Sequence, residues 1–146
     1  MQKPAETEQL QKRESLDGGG WYLHCTSIRR PLTWRTSVDK TAMQSCIDAC
    51  MACAQACEHC ANACLKEKDV AMMAECIRLD RDCADICWTS AAWMSRDSQF
   101  AGQLCRVCAD VCQACGAECG KHKHDHCQKC AAACRDCAEA CRKMAA

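Results

Sequence analysis

The sequence predicts an all-α protein: an antiparallel, up-down-up-down four-helix bundle with a cysteine-lined lumen, preceded by an N-terminal extension. Three observations lead there. Cys46, Cys50, Cys53, Cys57, Cys60 and Cys64 step by four, three, four, three and four residues. The mean step is about 3.5, the spacing of the buried a and d positions of packed helices. The same step returns at Cys105, Cys108, Cys112, Cys115 and Cys119, again at Cys127, Cys130, Cys134, Cys137 and Cys141, and more sparsely at Cys76, Cys83 and Cys87. Beyond Pro31 the chain has no proline and is rich in alanine, which suits long helices. Finally, the connections between periodic segments are short, and short connections force consecutive helices antiparallel. Each segment aims one sulfur stripe at a shared interior. An interior of thiols in place of Leu and Ile is expected to be a metal site.

Two domains are expected, an extension over residues 1–36, mostly irregular, and the bundle over residues 37–146. The extension holds both prolines (Pro4 and Pro31), the Gly18-Gly19-Gly20 run and a single cysteine. Gln2 to Glu14 is polar and suits a short surface helix, which the glycines end. Trp21, Tyr22 and Trp34 are candidates to pack on the bundle or on a neighbouring subunit. Cys25, beside His24, lies outside the repeat and reads as a thiol with no metal role. The first bundle helix is expected from Ser37 as N-cap to Glu67. Asp69 would cap the second, from Val70 to Met94, and Ser98 the third, which a left-handed Gly120 would end. After a polar loop, Lys121 to His124, Asp125 would cap the fourth, running to Lys143. This topology gathers Met43, Cys46, Cys87, Met94, Cys105, Cys141 and Met144 at an apolar end. The opposite, polar end gathers Cys60, Asn62, Cys64, Met72, Met73, Cys76, Cys119, Cys127 and the loop histidines.

Composition excludes several classes. Nineteen basic and nineteen acidic residues cancel, which argues against a nucleic-acid partner. Residues 1–40 contain no apolar run long enough for a signal peptide. The Arg29-Arg30 pair lacks the hydrophobic segment that an export signal needs, and no membrane partner is expected. Twenty cysteines in 146 residues exceed the level that flags a disulfide scaffold, but the spacing opposes that reading. Helix neighbours at i and i+4 hold their Cβ atoms about 5–6 Å apart, against about 3.5–4.5 Å in a disulfide. A reducing, cytoplasmic setting with free thiols is the expectation. Redox CxxC motifs open a helix after a strand; no strand pattern and no Gly-rich phosphate loop exist here, so no enzyme and no catalytic residue is expected. A metallochaperone would expose one exchangeable site, whereas this chain hides nineteen thiols, all its cysteines but Cys25.

Charge selects the metal. Thiolates rather than thiols bind metal, and unpaired buried charge is prohibitive. One Cu(I) per thiolate leaves a filled lumen neutral, whereas zinc in a four-cysteine site leaves a net negative charge of two to bury. Cu(I) is also the soft ion that thiolates select. Eight CxxxC pairs are available for two-coordinate binding: Cys46/Cys50, Cys53/Cys57, Cys60/Cys64, Cys83/Cys87, Cys108/Cys112, Cys115/Cys119, Cys130/Cys134 and Cys137/Cys141. The competing assignment is a zinc or iron–sulfur protein with four-Cys sites, one cysteine from each helix. The second helix, with three cysteines, cannot supply every such layer.

The runs Cys46-Ile47-Asp48-Ala49-Cys50, Cys57-Glu58-His59-Cys60-Ala61-Asn62-Ala63-Cys64 and His124-Asp125-His126-Cys127-Gln128-Lys129-Cys130 resemble the bacterial copper storage proteins, most closely their cytosolic, cysteine-rich members. The resemblance covers about residues 40 to 144, and residues 1–36 depart from it. It implies a four-helix bundle holding many Cu(I) ions, mostly between pairs of thiolates. It also implies a homo-oligomer, specifically a tetramer, with copper entering at the polar end where His and Asn assist. Storage or detoxification of Cu(I), roughly one ion per bundle cysteine, is the expected function. The sequence identifies no copper chaperone or efflux partner.

Auxiliary ligands have two readings each. His122 and His126 would bind the outermost ions or belong to a solvated loop, with His124 the weaker candidate. Asp80, four residues after Cys76 and three before Cys83, sits on the sulfur seam and would ligate a terminal ion or hydrogen-bond across the lumen. Asn62 is favoured by the resemblance alone. Met43, Met72, Met73 and Met94 are thioether ligands or ordinary gap-filling side chains.

Overall fold

Four cysteine-bearing segments become four helices in the computed structural model, which describes residues 40–145. They are α1 (Lys40–Cys64), α2 (Ala74–Ser95), α3 (Ala101–Cys119) and α4 (Asp125–Met144), with a 3-10 turn, Val70–Met73, leading into α2. No strand occurs among the described residues. Each helix packs against two others, α1 on α2, α2 on α3, α3 on α4 and α4 back on α1, which closes a ring around the lumen. Ser37 as a helix start, the Gln2–Glu14 helix, Trp21, Tyr22, Trp34, His24 and Cys25 lie outside the described residues.

The core is sulfur flanked by small residues. Flanking the cysteines are buried small residues, Ala54 and Ala61 on α1, Ala84 and Ala91 on α2, Ala109 and Gly116 on α3, and Ala131 and Ala138 on α4. They recur every seven residues on each helix, beside the seam, where a small side chain lets neighbouring helices approach. The closest approach is at Gly116, where an added Cβ would lie 3.1 Å from Cys134 Cβ. Outside this column the faces are charged. Arg78–Glu75 at 2.5 Å, Lys143–Glu139 at 2.8 Å and the interhelical Arg81–Glu58 pair are all solvated. Such pairs position side chains but add little stability.

Helix termini depart from the sequence expectations in four places. Asp69 does cap, accepting from Met72 N–H at 3.4 Å, but what it caps is the 3-10 turn. Ser98 does not cap α3, which begins at Ala101; its hydroxyl accepts from Phe100 N–H at 3.3 Å inside the turn. That turn is fixed from the α2 side: Asp97 adopts a left-handed φ of 52°, with Ser98 N–H donating to Trp93 O and Asp97 N–H to Met94 O, both at 3.0 Å. The paired bonds are those of a helix-ending left-handed motif, built on Asp rather than Gly. Gly120, expected to be left-handed, stays right-handed at φ −62°, ψ −18°. The last carbonyls of α3 are instead taken by the turn itself, Gly120 N–H donating to Gly116 O and Lys121 N–H to Glu118 O at 3.0 Å, and His122 N–H to Cys119 O at 3.1 Å, while Gln128 reaches back from α4 and donates to the carbonyls of Gly120 (3.3 Å) and His122 (2.6 Å). Asp125 lies within the first turn of α4, and the extended His124 occupies the N-cap position.

Candidate metal centre

All nineteen cysteines among the described residues are free thiols, each at most 1% exposed. Their seam positions face inward because steps of three and four residues keep them on one helix stripe. Neighbouring sulfurs touch at 3.5 Å for Cys57/Cys130, Cys87/Cys112 and Cys76/Cys119, and at 3.7 Å for Cys46/Cys141. These are non-bonded contacts, far from the disulfide length of about 2.05 Å. Within single helices, Cys53/Cys57 stand 4.0 Å apart, and Cys60/Cys64, Cys108/Cys112, Cys115/Cys119 and Cys130/Cys134 stand 3.9 Å apart. Metal–thiolate bonds of about 2.3 Å place two sulfurs about 3.8 Å apart when tetrahedral and about 4.6 Å apart when linear, so these pairs reach a shared ion with side-chain adjustments below an ångström.

Across helices the sulfurs form overlapping sets. Cys50, Cys108, Cys137 and Cys141 form one; Cys53, Cys87, Cys112 and Cys137 the next; then come Cys53, Cys57, Cys83 and Cys134, and Cys57, Cys115, Cys130 and Cys134. In each, all sulfurs lie within 4.8 Å of one another. Cys53, Cys57, Cys134 and Cys137 each belong to two sets. A closed tetrahedral zinc site uses its four ligands exclusively, whereas shared sulfurs suit a chain of thiolate-bridged ions. Cys112 and Cys115 lie mid-column. Changing both to Ser is expected to remove a few ions of Cu(I) capacity, measured by anaerobic titration. Far-UV circular dichroism should remain helical, because Ser is nearly isosteric.

The seam of α2 continues where its cysteines stop. Cys76, Asp80, Cys83, Cys87, Ser90 and Met94 keep the four-three step and are all buried. Ser90, which the sequence reading missed, is 1% exposed and its hydroxyl has no hydrogen-bond partner. Asp80 is fully buried. Its Oδ1 accepts from Cys115 at 3.2 Å, Cys130 at 3.2 Å and Cys119 at 3.3 Å, and its Oδ2 from Cys76 at 3.7 Å. Burial, then the neighbouring Cys130 charge, pushes its pKa up to about 8. At the apolar end, Cys105 donates to the Met94 sulfur at 3.8 Å, while Met43 and Met144 pack partly buried against the core. Cys87 lies one layer deeper than expected, touching Cys108 and Cys112 at 3.7 and 3.5 Å.

The polar end is organised by His126. Its Nδ1 stands 3.4 Å from Cys127, 3.5 Å from Cys60 and 3.9 Å from Cys64. With Cys76, those three thiols form a further four-sulfur set. Burial raises the pKa of Cys64 to about 11 and that of Cys127 also upward, so metal must displace these protons. His126 Nε2 meets Glu67 Oε1 at 3.1 Å, and His124 Nδ1 meets the same oxygen at 3.2 Å. Sequence reasoning missed Glu67, which lies in the turn after α1. His122 touches no thiol; its Nε2 stands 3.5 Å from Glu118. Asn62 and His59 are exposed on the outer side of α1, and neither is brought to the sulfur column. Met73 is buried and Met72 is 69% exposed; both line a cleft with Glu67, Lys68, Asp69, His122 and His124.

Comparison with known proteins follows the same sulfur pattern. A family model described as copper storage protein, Csp, matches residues 39–146. The uncharacterized cysteine-rich protein YhjQ of Bacillus subtilis is 55% identical over 103 residues, which span 70% of this chain and 95% of that protein. Among solved structures, the Cu(I)-bound copper storage protein BsCsp3 superposes with a TM-score of 0.70 at 54% identity, covering 72% of this chain and 99% of its own. A cytosolic copper storage protein from Streptomyces lividans, carrying five coppers, superposes with a TM-score of 0.72 at 47% identity, covering 74% and 95% respectively.

Proposed function

From the premise that this chain belongs to the copper storage protein family, we propose that it takes up roughly one Cu(I) per bundle cysteine and stores the ions within its lumen. Copper storage follows from the family; the capacity and the ligands are the present reading. The ligands are Cys46, Cys50, Cys53, Cys57, Cys60, Cys64, Cys76, Cys83, Cys87, Cys105, Cys108, Cys112, Cys115, Cys119, Cys127, Cys130, Cys134, Cys137 and Cys141, joined by His126 and Asp80 where imidazole and carboxylate reach the thiols. Sulfur shared between adjacent four-thiol sets is the observation that carries this reading. It suits many bridged monovalent ions better than isolated divalent ones, which would each need four sulfurs of their own. His122 and Asn62 are left without a first-contact role, since neither meets a thiol.

Copper enters at the histidine end in this reading, because imidazole and exposed thioether there lead to Cys60, Cys64 and Cys127. A cytoplasmic location follows from the need for reduced thiols, and the Streptomyces lividans relative, described as cytosolic, supports it. No helix among the described residues is long and apolar enough to cross a membrane. Residues 37–146 act as the copper-binding domain, assembled as a homo-oligomer, a tetramer by family resemblance. The chain binds and releases ions without turning over a substrate.

Anaerobic titration of the reduced, metal-free protein with Cu(I) tests the capacity. Uptake should continue to about one ion per bundle cysteine, releasing about one proton per thiolate formed. Saturation near four or five ions would remove the one-per-thiolate reading in favour of discrete four-cysteine sites.

A further inference from the structure

We propose that Glu67 is the positioning residue of the copper site at the histidine end, holding His126 in the tautomer whose Nδ1 lone pair faces Cys60, Cys64 and Cys127. The proposal rests on the storage reading in one respect, that Cu(I) occupies those thiols.

A carboxylate oxygen has lone pairs and no proton to give. Glu67 Oε1 stands 3.1 Å from His126 Nε2, so the neutral ring carries its hydrogen on Nε2 and donates it to Glu67. The other ring nitrogen, Nδ1, then has the free lone pair, and Nδ1 is the atom 3.4 to 3.9 Å from the three thiols. The opposite tautomer sets two lone pairs against each other at Glu67 and aims an N–H at the sulfurs. That arrangement would deny the metal its nitrogen.

The surroundings fix the geometry. Glu67 lies in the turn that follows α1, and His126 lies in the first turn of α4, two helices that pack side by side. The His126 side chain is 13% exposed, and His124 stacks on it with ring centroids 5.3 Å apart. His124 Nδ1 also stands 3.2 Å from the same Glu67 oxygen. One carboxylate oxygen thus lies against both rings, one facing sulfur and one covering the first. Among the described residues no other acceptor meets His126 Nε2.

Glu67→Ala and Glu67→Gln in the full chain separate the possibilities. In reduced, metal-free protein with 15N-labelled histidine, two-bond 1H–15N spectra should show the Nε2–H tautomer at His126 in the wild type. Glu67→Ala should lose that preference, and Glu67→Gln, whose amide oxygen accepts the same bond, should retain it. With Cu(I) alone competed against a chromophoric Cu(I) chelator, Glu67→Ala should hold the ions at this end about tenfold less tightly. Glu67→Gln should stay close to wild type, and total capacity should be the same in all three proteins. A Glu67→Ala protein with wild-type tautomer and affinity overturns the proposal. So does Glu67→Gln failing alongside it, which would make the carboxylate's charge the cause. A wild-type protein that takes up no Cu(I) would defeat the storage reading instead, and the copper-free spectra would still judge Glu67.

Discussion

Filling the lumen with Cu(I) is expected to raise the unfolding temperature of the reduced protein by tens of degrees. The metal-free bundle has little else in its centre. Apart from thiols, alanines and one glycine, the buried core contains Met73, Met94, Ser90 and Asp80. Ile47, Ile77, Leu79, Ile86 and Val111 only pack partly buried against it. A buried thiol behaves as a small hydrophobe, below the roughly 1.5–3 kcal/mol of a buried Leu. A ligand that binds only the native state adds about 2.7 kcal/mol per site at a hundredfold excess over its Kd. In a domain of about this size, each kcal/mol moves Tm by about 4–8 °C. A few occupied sites therefore outweigh the apolar core. The unfolded chain also has thiols, so the gain depends on the difference between scattered cysteines and the packed sets, in which four sulfurs already lie within 4.8 Å. Anaerobic thermal melts, followed by circular dichroism at increasing copper-to-protein ratios, measure it. Coincident melts with and without copper would mean that the ions bind loose chain as well as they bind the lumen.

How much was legible in the sequence depended on periodicity. α1, α3 and α4 place cysteine at nearly every seam position, so the spacing reveals their buried faces, and the short connections give their direction. α2 has only three cysteines, yet its seam keeps the same step. Asp80 stood out there because a charged residue on a buried stripe is conspicuous. Ser90 did not, because a hydroxyl beside Thr89 looks like ordinary helix surface. Asn62 fails for a simple reason: two residues from Cys60 and two from Cys64 turn it about 200° from the seam. His126, next to Cys127, reaches the thiols; His122, in the loop ahead of α4, does not. Helix ends were less legible because they are settled by partners remote in sequence. Gln128 ties down the loop after α3 from the next helix, which no local signal at Gly120 encodes. Glu67 was invisible for the same reason, since only folding brings the turn after α1 onto the start of α4.

Asp80 gives the second large effect, a fall in the stability of the metal-free protein as pH rises. Its folded pKa is raised to about 8 from an ordinary value of 3.8, by burial and by the charge of Cys130. Between those values the native state holds a proton that the unfolded chain has released. Stability therefore declines from about pH 4 to about pH 8 and levels off above. Each pKa unit corresponds to about 1.4 kcal/mol, so the drop is several kcal/mol at most. Asp80→Asn should abolish the decline. The amide oxygen still accepts from Cys115, Cys119 and Cys130, and the amide has no charge to bury at any pH. The variant and the wild type should thus be similarly stable near pH 4 and diverge steadily towards pH 8, with the variant the more stable. Urea unfolding under argon with reductant, run across this range, measures both curves. Parallel curves would place the proton elsewhere and leave Asp80 ionised among its thiols. With Asp80 among the ligands proposed above, loading would reverse the balance: a monovalent ion in the surrounding thiolates would turn the carboxylate from a buried liability into a ligand, at the pH where the empty lumen is weakest.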